Sequence, residues 1–256
     1  MIDAHFHVFN GNPVELKNLI EQSPYKNQYM VYNSVHIDSC EFKRHTSFFE
    51  KVFCIPFFLK EITVSEANES LYNSLSHIQN GYAIPLIDSA DLQFNSFSTT
   101  RFIGAKEHFL IHNAFDASSR HKAYTYLEKH NKFLLIHCSD GVRLEYIRFL
   151  RSTYPRLKIL IAHLGATRRD SRKTIELIDY FANDEFVFYD ISTITDSIIL
   201  KHAFTKMNYE RICFGTDKPF ISMGVETSVT FITDFLVDEN QQHKIFTENA
   251  LKLISS

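Results

Sequence analysis

Residues 133–137 read FLLIH, an apolar run that ends in a histidine. The same design recurs at 159–163, ILIAH, and at 212–217, ICFGTD. Continuous apolar runs of this kind are typical of parallel strands that are covered on both faces. In a parallel α/β barrel the carboxyl ends of the strands carry the chemistry. We therefore expect His137, His163 and Asp217 to meet at one mouth of a barrel.

Short apolar runs alternate with amphipathic stretches along the chain, which predicts βαβ units and a parallel sheet. Strand candidates cover residues 1–8, 29–35, 52–58, 82–87, 101–107, 133–138, 158–163, 186–191 and 211–216. Helix candidates cover residues 117–130, 142–152, 171–182, 197–207 and 224–236, followed by one or two short helices over 239–254.

The fold prediction is α/β, a single (β/α)8 TIM barrel, and no linker or low-complexity tract divides residues 1–256 into more than one domain. Nine strand candidates exceed the eight that a barrel needs. Segments 52–58 and 82–87 therefore compete, and one of them can be an extra strand or an irregular connection in the first 100 residues.

Composition excludes several classes of protein. The net charge is −3, with 27 Lys and Arg against 30 Asp and Glu, so no basic field is available for a nucleic acid. No apolar run approaches the roughly 20 residues of a membrane helix, and no secretion signal is visible. The four cysteines form no CxxC pair, which favours reduced thiols. We expect a cytoplasmic protein with a small-molecule substrate and no nucleic-acid or membrane partner. The sequence does not define the oligomeric state.

The first residues point to a metal. Residues 2–7 read IDAHFH, and in a strand His5 and His7 lie on the same face. Imidazole is a common ligand of divalent transition metals. Each strand-end polar residue could by itself bind nearby backbone. Together, four imidazoles and a carboxylate at one mouth suit Zn²⁺, or Fe²⁺, Co²⁺ or Mn²⁺ in the same site.

These motifs resemble the amidohydrolase superfamily, in its amidohydrolase-related branch of TIM-barrel metal-dependent hydrolases, from end to end. In chain order they are the first-strand HxH in IDAHFH at 2–7, the fourth-strand GxKxH in GAKEH at 104–108, His137, HLG at 163–165, the eighth-strand G[ST]DxP in FGTDKP at 214–219, and the closing NAxxLL helix in ENALKLI at 248–254.

The resemblance implies a role for each residue. His5, His7, His137 and Asp217 are expected to bind one divalent metal, with Zn²⁺ as the first choice. His163 is expected close to the metal, where it orients the water or polarises the substrate. Asp217 is expected to serve a second time, as the general base on the metal-activated water.

The substrate residues are less closely defined. In relatives with two metals the fourth-strand lysine is carboxylated and bridges them, whereas here Lys106 is expected to stay an amine that binds a substrate carboxylate at the pocket mouth. A pairing with a local acid is the alternative. His108 lies on the same strand face. Arg168 and Arg169, in the sixth loop, can clamp a carboxylate or simply begin a solvated helix.

Three further polar residues near strand ends, Asp190, Ser192 and His36, either line the pocket or cap turns. The inward fourth-strand glutamate of TatD-like nucleases is missing, which argues against phosphodiester chemistry.

The leading hypothesis is a metal-dependent hydrolase of a small carboxylate-bearing ester, lactone or amide. Its nearest rival is a nonoxidative decarboxylase of an aromatic or unsaturated carboxylate, because the same branch contains such lyases with the same ligand set. Those often run longer than this chain, which favours hydrolysis. A non-catalytic small-molecule-binding barrel is the third reading, against which the intact ligand set speaks.

Overall fold

Eight parallel strands follow one another in chain order within the part of the chain that the structure describes. The computed structural model describes residues 1–8, 39–57, 62–87, 101–108, 119–138, 143–165, 171–218 and 224–255. The strands are β1 (Ile2–Val8), β2 (Lys51–Pro56), β3 (Gly81–Ala83), β4 (Gly104–His108), β5 (Phe133–His137), β6 (Ile159–Ile161), β7 (Val187–Asp190) and β8 (Ile212–Cys213). Regular pairing forms two sheets, one with the strand order β1-β2-β3 and the other with the order β4-β5-β6-β7-β8.

Backbone contacts at two seams close these sheets into a barrel. At the first seam, bridges from Ala83 to Phe102 and from Leu86 to Lys106 join the β3 side to β4. At the second seam, β8 and the residues that follow it lie along β1, where the amide of Ala4 donates to Phe214 O at 2.9 Å. The predicted (β/α)8 barrel is thereby confirmed.

The two competing segments both belong to the barrel. Residues 52–58 contain most of β2 and residues 82–87 contain part of β3, so neither is an accessory strand. The pairing of β3 stops at Ala83, and the bridge from Leu86 continues the contact with β4 after an interruption. This irregular strand explains the ambiguity in the sequence. The candidate at 29–35 lies outside the described residues.

Helices follow most of the strands. They are α1 (Ser39–Ser47), α2 (Val64–Leu75), α3 (His121–Lys129), α4 (Arg143–Thr153), α5 (Ser171–Phe181), α6 (Ser197–Met207), α7 (Val225–Thr233), α8 (Glu239–His243) and α9 (Asn249–Ile254), with a π-helical turn over Lys244–Glu248. The Asp196 side chain caps α6 by accepting from the amides of Ile198 and Ile199. None of the helices in the described segments is both long and apolar enough to cross a bilayer.

Alternate residues of each strand enter two different cores. On β5, Phe133 and Leu135 pack inside the barrel, while Leu134 and Ile136 pack against the outer helices. Both faces are therefore apolar, which explains the continuous runs in the sequence. Cys54, Cys138 and Cys213 are buried in the core.

A bulge in β1 sets the direction of the first histidine. Asp3 pairs with Val52 and Phe6 with Cys54, so β1 contains one more residue than β2 between these pairs. Ala4 belongs to the core inside the barrel, and Phe6 to the core outside it. The extra residue lets both Ala4 and His5 face inward, and it places the imidazole of His5 at the barrel mouth.

Candidate metal centre

Three side chains converge on one point at the mouth of the barrel. Nε2 of His5 lies 3.3 Å from Nε2 of His7, and each of these nitrogens lies 3.3 Å from Oδ1 of Asp217. The three atoms thus form a nearly equilateral triangle. His5 and His7 come from β1, and Asp217 follows β8, so the triangle spans the second seam of the barrel.

Neighbouring groups fix the proton on each imidazole. Nδ1 of His5 lies 2.8 Å from Oδ2 of Asp190, and Nδ1 of His7 lies 3.3 Å from the carbonyl oxygen of Pro56. Both partners are acceptors, so each Nδ1 must carry a proton, and the lone pair of a neutral ring then lies on Nε2. The triangle therefore consists of two lone pairs and a carboxylate oxygen, a set that attracts a cation.

The dimensions of the triangle suit a transition metal. Ligand atoms about 2.0–2.1 Å from a tetrahedral ion lie about 3.3–3.4 Å from one another. The three observed separations of 3.3 Å match one face of such a tetrahedron. Catalytic zinc sites usually have three protein ligands and one open position. His5, His7 and Asp217 therefore fit a divalent metal in both chemistry and spacing.

Burial keeps the ligands in the form that binds a metal. Desolvation lowers the pKa of His7 to about 4, although the negative charge of Asp217 opposes the shift. For Asp217, burial alone would raise the pKa, but the surrounding imidazoles of His163, His5 and His7 together lower it below the ordinary range of a carboxyl. Neutral imidazoles and an ionised carboxylate are the states that bind a divalent ion.

Asp190, at the end of β7, supports the site from behind. Its Oδ2 holds His5, while its Oδ1 accepts from the amides of His163 and Ser192, each at 3.1 Å, and from the hydroxyl of Ser192. Burial opposes ionisation, but His5, His163 and Ser192 hold the pKa of Asp190 at about 2. This carboxylate orients a ligand ring, as carboxylate–histidine pairs do at metal sites.

His163 stands beside the triangle. Its ring stacks on His5 with centroids 4.9 Å apart, and its Nδ1 lies 2.8 Å from Oγ of Ser192. His163 and Leu164 both have a φ of 54°, in the left-handed region that residues other than glycine rarely adopt. The hydrogen bond from the His163 amide to Asp190 helps to hold this strained turn, and such strain is often found at functional sites.

A second group of ligand-type atoms also exists. Donor atoms of His5, His163 and Asp190 lie within 4.8 Å of one another. Within that group, however, the Asp190 oxygens already accept from Nδ1 of His5 and from the amide of His163. The triangle of His5, His7 and Asp217 is therefore the better metal candidate.

His137 and His108 lie on the other side of His163. The ring of His137 contacts His163 edge-on with centroids 5.1 Å apart, and it stacks on His108 at 4.2 Å. Burial, and then the nearby His108 and His163, lower the pKa of His137 well below its usual value. His137 is thus a neutral imidazole in the same pocket, although its nitrogens do not join the group within 4.8 Å.

Lys106 lies buried next to His5. Only 1% of its surface is exposed, and its Nζ lies 3.1 Å from Nε2 of His5. Because Nδ1 of His5 carries the proton, the ammonium donates to the Nε2 lone pair. Desolvation lowers the pKa of Lys106 to about 8, with Asp217 and Asp190 opposing the shift. Lys106 is therefore mostly a cation at neutral pH.

Glu107 points away from the pocket, into the layer between the barrel and its helices. Its carboxylate accepts from the hydroxyls of Tyr124 and Tyr146, and Arg120 lies 3.5 Å away. Burial raises its pKa in spite of these contacts. The fourth strand thus presents no glutamate to the site, in agreement with the sequence. The predicted pocket residues Arg168, Arg169 and His36 lie outside the described residues.

Gly215 allows β8 to approach β1 closely. A Cβ atom added there would lie 2.9 Å from Cβ of His5 and 3.4 Å from Cβ of Ser192. We expect Gly215→Ala to lower the free energy of unfolding by about 1–3 kcal/mol, as overpacked cores do, and to weaken metal binding by displacing His5. Urea unfolding and zinc titration measure the two effects.

Gly224 offers the matched control for this variant. A Cβ added at Gly224 meets no atom closer than 3.7 Å, so Gly224→Ala should leave metal binding nearly unchanged and lower stability only through the less favourable N-cap residue of α7. Equal behaviour of the two alanine variants would contradict the close-approach argument.

Comparison with known proteins identifies the family. The amidohydrolase family model matches residues 97–255, which is more than half of the chain. The chain belongs to this family, as its motifs predicted. No match was found among curated proteins.

Solved structures share the fold over nearly the whole chain. A probable 2-pyrone-4,6-dicarboxylic acid hydrolase from Acinetobacter baumannii, with citric acid bound, is 16% identical, with 99% of this chain and 98% of that chain covered and a TM-score of 0.65. An amidohydrolase from Burkholderia multivorans, with bound zinc, is 11% identical at the same coverage, with a TM-score of 0.72. The 5-carboxyvanillate decarboxylase from Sphingomonas paucimobilis is 12% identical at the same coverage, with a TM-score of 0.70.

Proposed function

We propose that this protein is a metal-dependent hydrolase of a small carboxylate-bearing ester, lactone or amide. The observation that carries the proposal is the 3.3 Å triangle of His5, His7 and Asp217, whose lone pairs and carboxylate oxygen face one another at the barrel mouth. The zinc bound to the protein of similar fold from Burkholderia multivorans supports the proposal that this chain binds a metal.

These three residues would hold one divalent ion, with Zn²⁺ as the first choice and Mn²⁺, Fe²⁺ or Co²⁺ as alternatives. His137 is proposed as the fourth ligand, because it is a partly buried neutral imidazole whose ring contacts that of His163. A bound divalent ion would lower the pKa of a coordinated water toward neutrality.

The residues of the chain then divide the remaining work. Asp217 uses only Oδ1 in the triangle, so the other oxygen of its carboxylate is the proposed general base that accepts a proton and returns it to the leaving group. His163, held by Ser192 and Asp190, is proposed to polarise the substrate or orient the water. The ammonium of Lys106 is proposed to bind a substrate carboxylate, with His108 and Arg168 as further substrate contacts.

A decarboxylase is the second candidate. The solved relatives include the 5-carboxyvanillate decarboxylase and a 2,6-dihydroxybenzoate decarboxylase with a TM-score of 0.64. The buried ammonium of Lys106 would bind the carboxylate of an aromatic acid as well as that of a lactone. The two candidates differ in their product, because only the lyase releases carbon dioxide.

One experiment separates these readings. Protein purified without chelators is analysed for metals and then incubated with a panel of carboxylate-bearing lactones, esters and amides and of aromatic carboxylic acids. A hydrolase yields the ring-opened or cleaved acid, and a decarboxylase yields carbon dioxide. Bound metal without turnover of any compound would favour the binding barrel. Metal-free protein that zinc does not stabilise against heat would overturn the metal centre itself.

Replacing Lys106 tests its proposed role. We expect Lys106→Ala to raise KM for carboxylate substrates by at least about tenfold, because a charge-assisted contact is lost, and to leave metal content near one per chain. The exposed Lys129 on α3 offers a control of equal charge, and Lys129→Ala should leave KM unchanged. A carboxylated Lys106 between two metals would overturn this role.

A further inference from the structure

We propose that Asp3 is a positioning residue that fixes the metal ligands of β1 and β8 relative to each other. This inference rests on the proposed function, since it concerns the affinity of the same metal centre. Asp3 lies on β1 two residues before His5, on the outer side of the barrel. It does not belong to the triangle, so it would act through the backbone on which the ligands stand.

Four donors surround the Asp3 carboxylate, which has no exposed surface. Oδ1 accepts from the amide of His5 at 3.1 Å and from the amide of Thr216 at 3.0 Å. Oδ2 accepts from Oγ1 of Thr216 at 2.7 Å and from Nε2 of His45 at 2.9 Å. A buried carboxylate is costly without such donors, so this set of partners is what makes the position tenable.

The β1 bulge explains why one of these donors is available. The extra residue between Asp3 and Phe6 interrupts the ladder with β2, and the amide of His5 turns to the carboxylate of Asp3 instead. The conformation that aims the His5 ring into the pocket is thus stabilised by a side chain two residues earlier.

The same carboxylate reaches the other strand next to its ligand. Thr216 immediately precedes Asp217, and the Asp217 amide donates to the His5 carbonyl oxygen at 2.7 Å. Asp217 has a φ of 53°, a left-handed conformation that needs support from its neighbours. Asp3 therefore bonds to the backbone of one ligand and to the residue beside another, across the seam where the triangle lies.

His45 completes the cluster from α1. Its ring stacks on Phe6 with centroids 4.4 Å apart, which aims Nε2 at Asp3. Because Asp3 accepts, His45 is the donor in this contact. The helix thereby supports the carboxylate from outside the barrel.

Glu107 offers a matched comparison. It is also a carboxylate on the outer side of the barrel, 2% exposed, and it accepts from two tyrosine hydroxyls. These partners, Tyr124 on α3, Tyr146 on α4 and Arg120 just before α3, lie on elements that carry no corner of the triangle. Loss of either carboxylate should reduce stability, but only loss of Asp3 should reduce metal affinity.

The test is the zinc Kd of each folded variant, measured by competition with a chromophoric chelator well below the unfolding temperature. We expect Asp3→Asn to raise the zinc Kd by about 10- to 100-fold, the range found when residues behind metal ligands are changed. Glu107→Gln should leave the Kd within about twofold of the wild type, even where its unfolding midpoint falls.

A second pair of variants serves if Asp3→Asn does not fold. Thr216→Val removes the hydroxyl that donates to Asp3 at nearly constant volume and should raise the zinc Kd several-fold, whereas Thr216→Ser keeps the hydroxyl and should restore most of the affinity. Wild-type protein that binds no zinc would overturn the proposed function and this inference with it. Wild-type zinc binding that Asp3→Asn or Thr216→Val leaves unchanged would overturn this inference alone.

Discussion

Asp217→Asn is expected to lower kcat by about 100-fold or more, with a far smaller change in KM. Asparagine keeps the size of the side chain but removes both the proton acceptor and the negative charge of the ligand. Both losses destabilise the transition state more than the substrate complex, so they appear mainly in kcat. Steady-state kinetics on the substrate found by screening, with metal content measured on the same sample, test this expectation.

The surface carboxylate of Asp196 provides the matched control. Asp196 caps α6, and asparagine is an equally good N-cap residue, so Asp196→Asn should retain both fold and kcat. A fully metal-loaded Asp217→Asn protein that turns over at nearly the wild-type rate would eliminate Asp217 as general base. The position of Asp217 in the triangle would then have to be explained by metal binding alone.

Removal of the metal is the second large effect. Dialysis against a chelator should abolish turnover, and added Zn²⁺ or Mn²⁺ should restore it. His7→Ala should prevent this recovery, because one corner of the triangle is missing. At a zinc concentration 100-fold above Kd, binding to the native state alone adds about 2.7 kcal/mol to the free energy of unfolding. Thermal unfolding with and without zinc therefore reports the site independently of any substrate.

His202 controls for the loss of a histidine as such. It lies on α6, where its Nε2 contacts Asp179 at 2.9 Å, and it is not one of the candidate ligands. His202→Ala should keep both zinc stabilisation and turnover. Full activity of chelator-treated protein, verified to be metal-free, would contradict the role proposed for the triangle.

The sequence predicted those parts of the site that depend on local pattern. Apolar runs ending in polar residues located the carboxyl ends of β5 and β8 and placed His137 and Asp217 there. The spacing of His5 and His7 indicated that their imidazoles share one face. These features follow from the period of a strand and from the direction of a parallel sheet, and both are readable in a single sequence.

What the sequence could not predict depends on contacts between distant segments. A bulge in β1 leaves no signature in composition, and the four donors around Asp3 come from three separate parts of the chain. The partnership of Asp190 with His5 likewise joins β7 to β1. Asp190 was visible in the sequence as an acidic residue at a strand end, but its contact with His5 was not.

The seam between β8 and β1 determines at which stage of folding the proposed metal centre can form. Two corners of the proposed triangle stand on the first strand and the third follows the last one, so no partly folded chain that lacks β8 can assemble the triangle. Joining such distant segments costs loop-closure entropy, although that cost grows only slowly with the length between them. During most of the synthesis of the chain, His5 and His7 would therefore lack Asp217, the third corner of the triangle. Metal binding at this place reports that the ring of strands has closed.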